Sequence, residues 1–247
     1  MSALLGSCFV TGTDTEVGKT LATCALLRAH VLRGVRAIGM KPVAAGAQWR
    51  DDRWCNDDVE QIVVAGNVEA PRESICPYLL REAVAPHLAA QLQDVRMELA
   101  PILAGFERLR GLADVVIVEG VGGFRVPLGE CFDTADLAAR LALPVVLVVG
   151  MRLGCLNHAA LTAEAIRARG LVFAGWVANS IDPNMAQSEG NFRSLERILD
   201  APCIGRFPRF TQMRNSRDDS AATGVPDQAA RLLRLDAAQT QGREVDS

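Results

Sequence analysis

Two periods divide the chain. Strand-length runs that are mostly apolar, SCFVTG, RAIGMKP, DVVIVEG, PVVLVVG, VFAGWVANS and CIGRF, alternate with segments whose apolar residues recur every three or four positions. Runs without a polar face predict strands covered on both sides, hence a parallel sheet. GKTLATCALLRAHVLRG predicts a helix closed by Gly34, and Pro42 stops the strand that follows. Helical spacing recurs over 58–64, 84–92 and 99–109, in DTADLAARLAL with Asp133 as N-cap, in NHAALTAEAIRARG and over 191–199. AAGAQWRDDRWCNDD has no period and reads as loop. The pattern predicts one doubly wound α/β domain with a mainly parallel sheet over residues 1–235, without repeat or linker. A polar tail, 236–247, is expected to fray because it has no apolar face.

Composition narrows the classes. Of 247 residues, 49% are hydrophobic and 22% charged, enough for a substantial core and unlike a disordered chain. A formal charge of −3 gives no electrostatic case for nucleic acid. No apolar run approaches the roughly 20 residues of a membrane helix, so no membrane partner is expected. MSALLGSCFV lacks a basic leader region, which predicts no signal peptide and a cytoplasmic protein. Seven cysteines lie scattered without a C-x-x-C pair, predicting reduced, mostly buried thiols rather than disulfides or a zinc site. Of 26 basic residues, only Lys19 and Lys41 are lysines. Where the chain otherwise uses arginine, these two mark places suited to a compact ammonium.

Both lysines stand beside motifs. VTGTDTEVGKT ends like the phosphate loop G-x-x-x-x-G-K-S/T, with one extra residue between Gly12 and Gly18. Strand, glycine loop and helix in that order direct backbone N–H groups and a helix dipole at an anion. Lys19 would reach the outer phosphates and the Thr20 hydroxyl would ligate Mg²⁺. The extra residue places Thr15 and Glu16 on the outer wall, where a second ligand could sit. DVVIVEG ends its strand in Glu119, the position from which nucleotide hydrolases bring an acid to the metal. Asp57 and Asp58 of NDD offer one further oxygen ligand. Lys41 ends the second strand beside the small residues Ala44, Ala45 and Gly46, which leave room for a ligand whose charge it would offset. His30 and His87 read as structural, and Trp176 as core. His158 lies at a helix start where Asn157 would be the cap and an anion could bind.

Together, VTGTDTEVGKT, MKPVAAG, VEGVGG, LVVGMRLGCLNHAALTAEAI and GWVANS closely resemble dethiobiotin synthetase, in consistent order over 9–208. The first block and G-C-x-N-H-A are the specific ones. The resemblance implies a P-loop nucleotide-hydrolase fold and an ATP-dependent cyclo-ligase of biotin biosynthesis. Such an enzyme takes 7,8-diaminononanoate, CO₂ and ATP through a carbamate and a carbamic-phosphoric anhydride to dethiobiotin, ADP and phosphate. It implies Lys19 and Lys41 as catalytic cations, and Thr20, Asp58 and Glu119 as Mg²⁺ ligands. ATP would meet Glu16, Val17, Gly18, Lys19, Thr20, Leu21, Asp58, Glu119, Gly120, Val121 and Gly122. Asn179 and Ser180 would read its base, with Pro208, Arg209 and Phe210 as the other wall. The substrate would meet Thr15, Lys41, Ala45, Leu153, Gly154 and Asn157, the last three across a homodimer interface. The chain departs from the family where Ala45 replaces a common serine and Ser180 a common acid. Rival readings are an amidoligase of the cobyrinic acid type, for whose usual amidotransferase domain the chain is too short, and a switch ATPase. The latter has a loop lysine where this chain has Asp14.

Overall fold

The apolar runs become strands of one parallel sheet in the computed structural model, which describes residues 5–210 and 219–238. Strand β1 (Cys8–Gly12) passes through the glycine loop into α1 (Lys19–Val31) and on to β2 (Ala37–Met40). Then come β3 (Val43–Ala44), β4 (Gln48–Arg50), β5 (Arg53–Cys55), α2 (Asp57–Ala65), α3 (Arg72–Ile75), β6 (Tyr78–Leu79), α4 (Pro86–Leu92) and α5 (Leu99–Leu112). The second half runs β7 (Val115–Glu119), α6 (Thr134–Leu141), β8 (Val145–Gly150), α7 (Cys155–Ala168), β9 (Phe173–Asn179), α8 (Ser188–Leu199), β10 (Cys203–Phe207) and α9 (Asp219–Ala230).

The sheet has six strands in the order β10-β9-β8-β1-β7-β2, and each neighbouring pair is parallel. Chain order reverses about β1, with β2 and β7 on one side and β8 to β10 on the other. A ligand crevice opens at such a reversal, off the carboxyl ends of the strands. Successive strand residues face opposite sides. Val145, Leu147 and Val149 therefore pack with Ile102, Phe106 and Trp176, whereas Val146 and Val148 pack with Leu26, Leu27 and Ile62. Both faces are dry, which is why these strands read as continuous apolar runs.

Asp133 caps α6 as expected, within a full capping box: Asp133 accepts from the Asp136 N–H, and Asp136 accepts from the Asp133 N–H. Asp133→Ala is expected to lower stability by about 1 kcal/mol, read as a lower urea midpoint with unchanged slope. The cysteines are free, and all but Cys131 and Cys203 are buried. Burial pushes the Cys8 and Cys76 thiols up to about 12, so they are inert.

The stretch expected to be loop instead contains a hairpin in which β4 and β5 pair antiparallel, Trp49 opposite Trp54. Its turn residues Asp51 and Asp52 have φ of 50° and 57°. Aspartate tolerates that left-handed geometry, and two such residues in succession make the turn that suits strand twist. Without glycine the turn signal is weak, though the mirrored W-R-D-D-R-W could have disclosed it. Strands β3 and β6 are two-residue pairings too short for any period. Of the tail, residues 236–238 are described, and Ala238 is buried; residues 239–247 lie outside the described ones.

Candidate functional site

The loop after β1 enters α1 through Gly18, the helix N-cap, at φ 92° with no side-chain cap. The first N–H groups of α1 are thus left without a side-chain acceptor, as an anion site requires. Thr15 and Glu16 are exposed on the outer wall. Lys19 lies inside, where its Nζ donates to the Asp14 carbonyl at 2.9 Å. Burial, with Lys41 adding repulsion, lowers its pKa to about 8. The Asp14 carboxylate accepts from the Thr15 N–H at 2.8 Å and from Arg152 at 2.5 Å. These bonds hold its pKa below the usual range. Arg152, on the loop after β8, thereby braces the phosphate loop. It stood in the sequence as one more arginine, and no pattern singled it out.

A second cluster faces this loop. Gly39 lets α2 close onto β2: a Cβ there would lie 2.1 Å from Ile62 Cγ2. That approach brings Asp58, near the start of α2, to Lys41 just past β2, with Nζ to Oδ2 at 3.0 Å. Lys41 Nζ also donates to Glu119 Oε1, and the Thr20 hydroxyl donates to the same oxygen at 3.0 Å. Lys41 is 3% exposed and Glu119 fully buried. Burial alone would depress the Lys41 ammonium, but Glu119 and Asp58 outweigh it and raise its pKa above normal. Burial would raise Asp58, yet the Lys41 charge and hydrogen bond carry it below its ordinary value.

The two aspartates of NDD separate here. Asp57 turns outward to Arg50, while Asp58 turns inward to Lys41. Glu119 Oε2 is buried and has no hydrogen-bond partner among the described residues. A buried carboxylate oxygen without a partner, beside a hydroxyl and a second carboxylate, is a hard oxygen donor set that fits Mg²⁺.

Other expected residues lie at or just past the carboxyl ends of β1, β7, β9 and β10. The Gly120 N–H donates to the Val10 carbonyl at 2.9 Å. Val121 and Gly122 follow half-buried, and a Cβ on Gly122 would lie 3.6 Å from Thr15 Oγ1. Asn179 ends β9 and donates its Nδ2 to the Val17 carbonyl at 2.9 Å, tying that strand to the loop. The Ser180 N–H donates to the Phe207 carbonyl at 3.0 Å, and Phe210 packs edge-on against Phe207. Pro208 and Arg209 are exposed beside it. Leu21 points into the core, 6% exposed, so only its backbone can meet a nucleotide.

The segment 153–157 does not gather with the rest. Leu153 is 93% exposed and Asn157 is also exposed. Asn157 is not the cap of its helix: α7 begins at Cys155 behind Gly154, whose φ of 93° lets the chain turn in without a side-chain acceptor. His30 and Trp176 are buried in the core, and the indole N–H of Trp176 donates to the Ala201 carbonyl at 3.1 Å. His158 is exposed. Asn56, unremarked in the sequence, caps α2 and donates to the Ala45 carbonyl at 3.0 Å.

The chain is similar to known proteins. A family model described as an AAA domain matches residues 7–217. The ATP-dependent dethiobiotin synthetase BioD of Aromatoleum aromaticum is 52% identical over 227 residues, covering 92% of this chain and 96% of that protein. The protein of the same name from Ralstonia nicotianae is 55% identical over 203 residues, 82% of this chain and 89% of its own. Among solved structures, the MinC:MinD cell division complex of Aquifex aeolicus gives a TM-score of 0.55 at 14% identity over 93% of this chain and 92% of that one. The MinD protein of Pyrococcus horikoshii, complexed with Mg-ADP, gives 0.53 at 14% identity over 94% of each chain. A ParA family ATPase from Chlorobium tepidum gives 0.53 at 12% identity over 91% of this chain and 98% of that one. The last three are alike in fold alone.

Proposed function

Since the chain belongs to the ATP-dependent dethiobiotin synthetase family, we propose that it carboxylates 7,8-diaminononanoate with CO₂ and closes the cyclic urea of dethiobiotin at the expense of ATP. One observation carries the assignment of residues. Lys41 is buried between Asp58 and Glu119, with Thr20 against the same Glu119 oxygen, opposite the loop that holds Lys19.

In the first step one substrate amine attacks CO₂ and loses a proton, leaving a carbamate. A carbamate oxygen then attacks the γ-phosphorus of ATP and ADP departs. The second amine attacks the carbonyl carbon of the mixed anhydride, loses a proton and expels phosphate. Two of these steps gather negative charge between the phosphates and the carbamate. Lys19 and Lys41 approach that region from its two sides. An ammonium held by two carboxylates offers charge rather than a lone pair, so Lys41 stabilises the developing oxyanion and does not accept protons. Thr20, Asp58 and Glu119 would hold Mg²⁺, which supplies neutralisation of the phosphate oxygens.

The remaining contacts follow the fold. Gly18, Lys19 and Thr20, with backbone support from Glu16, Val17 and Leu21, receive the phosphates. Gly120, Val121 and Gly122 line the far side of the loop. Asn179 gives one of its two Nδ2 hydrogens to Val17, and its amide oxygen can accept from the exocyclic amine of adenine. Ser180, Pro208, Arg209 and Phe210 flank the base. Thr15, Lys41 and Ala45 receive the diamine end. Leu153, Gly154 and Asn157 belong to a homodimer interface that meets the substrate carboxylate, and the exposure of Leu153 and of Leu161 further along α7 supports that interface. A cytoplasmic location suits the reduced cysteines.

Phosphate release with MgATP is expected only when both diaminononanoate and bicarbonate are present, with dethiobiotin formed in equal amount. ATP turnover indifferent to the diamine would refute the assignment.

A further inference from the structure

Resting on the activity proposed above, we infer that Asn56 is a positioning residue that sets the spacing between the substrate-bearing segment 43–47 and the acidic start of α2. Its side chain works in two directions at once. The amide oxygen accepts from the Asp58 N–H at 3.1 Å and the Val59 N–H at 3.4 Å, while the Nδ2 group donates to the Ala45 carbonyl at 3.0 Å. A closed circuit results. Lys41 binds Asp58, Asp58 is fixed by the Asn56 cap, Asn56 holds Ala45, and the chain returns from Ala45 to Lys41. Every member except Asn56 itself is a residue already placed at the reacting end of the site.

The circuit also closes the base of the Trp49–Trp54 hairpin, which occupies the chain between Ala45 and Asn56. Its neighbouring ties, Arg50 to Asp57 and Arg53 to Glu60, are exposed ion pairs and contribute little. The half-buried amide is therefore the clasp. Asparagine is suited to it because one planar group presents an acceptor and a donor on opposite sides. Aspartate would cap α2 equally well but could not donate to Ala45. Freed from Asn56, segment 43–47 would shift against Asp58 and Lys41, and small misplacements of a reacting group are costly.

The experiment compares Asn56→Asp and Asn56→Ala with the wild type. Hydrogen exchange is followed at the Gly46 and Ala47 amides, bonded to the Glu82 and Leu80 carbonyls, and along α2, with KM measured separately for the diamine and for MgATP. In Asn56→Asp the α2 amides are expected to keep wild-type protection. The Gly46 and Ala47 amides should exchange faster, and the diamine KM should rise, each by about tenfold, the scale of one lost hydrogen bond. KM for MgATP should stay within about twofold on the same scale. In Asn56→Ala the α2 amides should lose protection as well. Unchanged exchange at Gly46 and Ala47 in Asn56→Asp, or an unchanged diamine KM, overturns the inference. So does equal loss of protection throughout α2 in both variants, which would make Asn56 a helix cap and nothing more. A wild type that ignores the diamine would instead refute the activity, and the exchange arm would still decide the role of Asn56.

Discussion

Lys41→Arg is expected to lower kcat by about 100-fold or more, the scale on which one fixed charge-stabilising donor contributes to acyl or phosphoryl transfer. The substitution keeps the charge, so the loss comes from shape. The Lys41 ammonium lies 3% exposed with Glu119 fully buried against it. It reaches both carboxylates from one atom. A planar guanidinium spreads its donors over a wider fork and cannot bring them to one point in the same volume. It must push Asp58 or Glu119 aside, and with them the oxygens proposed for Mg²⁺. Steady-state kinetics beside denaturant unfolding of the same variant separate this from a loss of fold. Near-normal turnover would show that the chain's two lysines are not reserved for ammonium chemistry. Lys41→Met provides the contrasting arm. Leaving Glu119 buried and partly unpaired should destabilise the fold by about 3–5 kcal/mol, read by denaturant unfolding.

Gly18→Ala is expected to weaken ATP binding by more than about tenfold, as the loss of one hydrogen bond on top of backbone strain would require. Two separate effects converge there. A φ of 92° is left-handed, a region that costs an L-residue about 1–2 kcal/mol. The added Cβ would also stand 2.1 Å from Asn179 Nδ2, the atom that bonds the Val17 carbonyl. Asn179 would have to swing out, uncoupling the end of β9, proposed to meet the base, from the phosphate loop. Gly34→Ala is the control. Its φ is 78°, also left-handed, but nothing lies within 4 Å of the new Cβ. It should cost stability on the same scale as other strained turns, about 1 kcal/mol, and leave ATP affinity unchanged. Equal effects of the two variants on calorimetric ATP affinity would remove the steric coupling from the account.

Much of the candidate site was legible because its parts are local. Gly18, Lys19 and Thr20 announce themselves within one loop, and Glu119 is the acid that ends the buried strand DVVIVEG. Lys41 stood out by rarity. Elements went unread where the signal is short or its geometry is carried by unusual residues. The β4–β5 hairpin turns on two aspartates instead of a glycine. The cap of α7 is Gly154, three residues before Asn157, because a left-handed glycine can begin a helix without a side-chain acceptor. Arg152 was one arginine among many.

Sequence alone determined the layered α/β architecture, since burial on both faces forces apolar continuity on strands and helical spacing on what covers them. It also determined the chemistry available, through the loop and the resemblance built on it. Tertiary structure decided which of two adjacent aspartates joins the centre. Asp57 and Asp58 are equivalent as sequence, but α2 packs on β2 through Gly39 with a single helical phase, so only Asp58 faces Lys41. It likewise decided that Asp14 meets Arg152 from 138 positions away, and that Asn56 joins Ala45 to Asp58. Such pairings depend on how strands and helices are ordered in space. No spacing along the chain encodes a distance across the sheet.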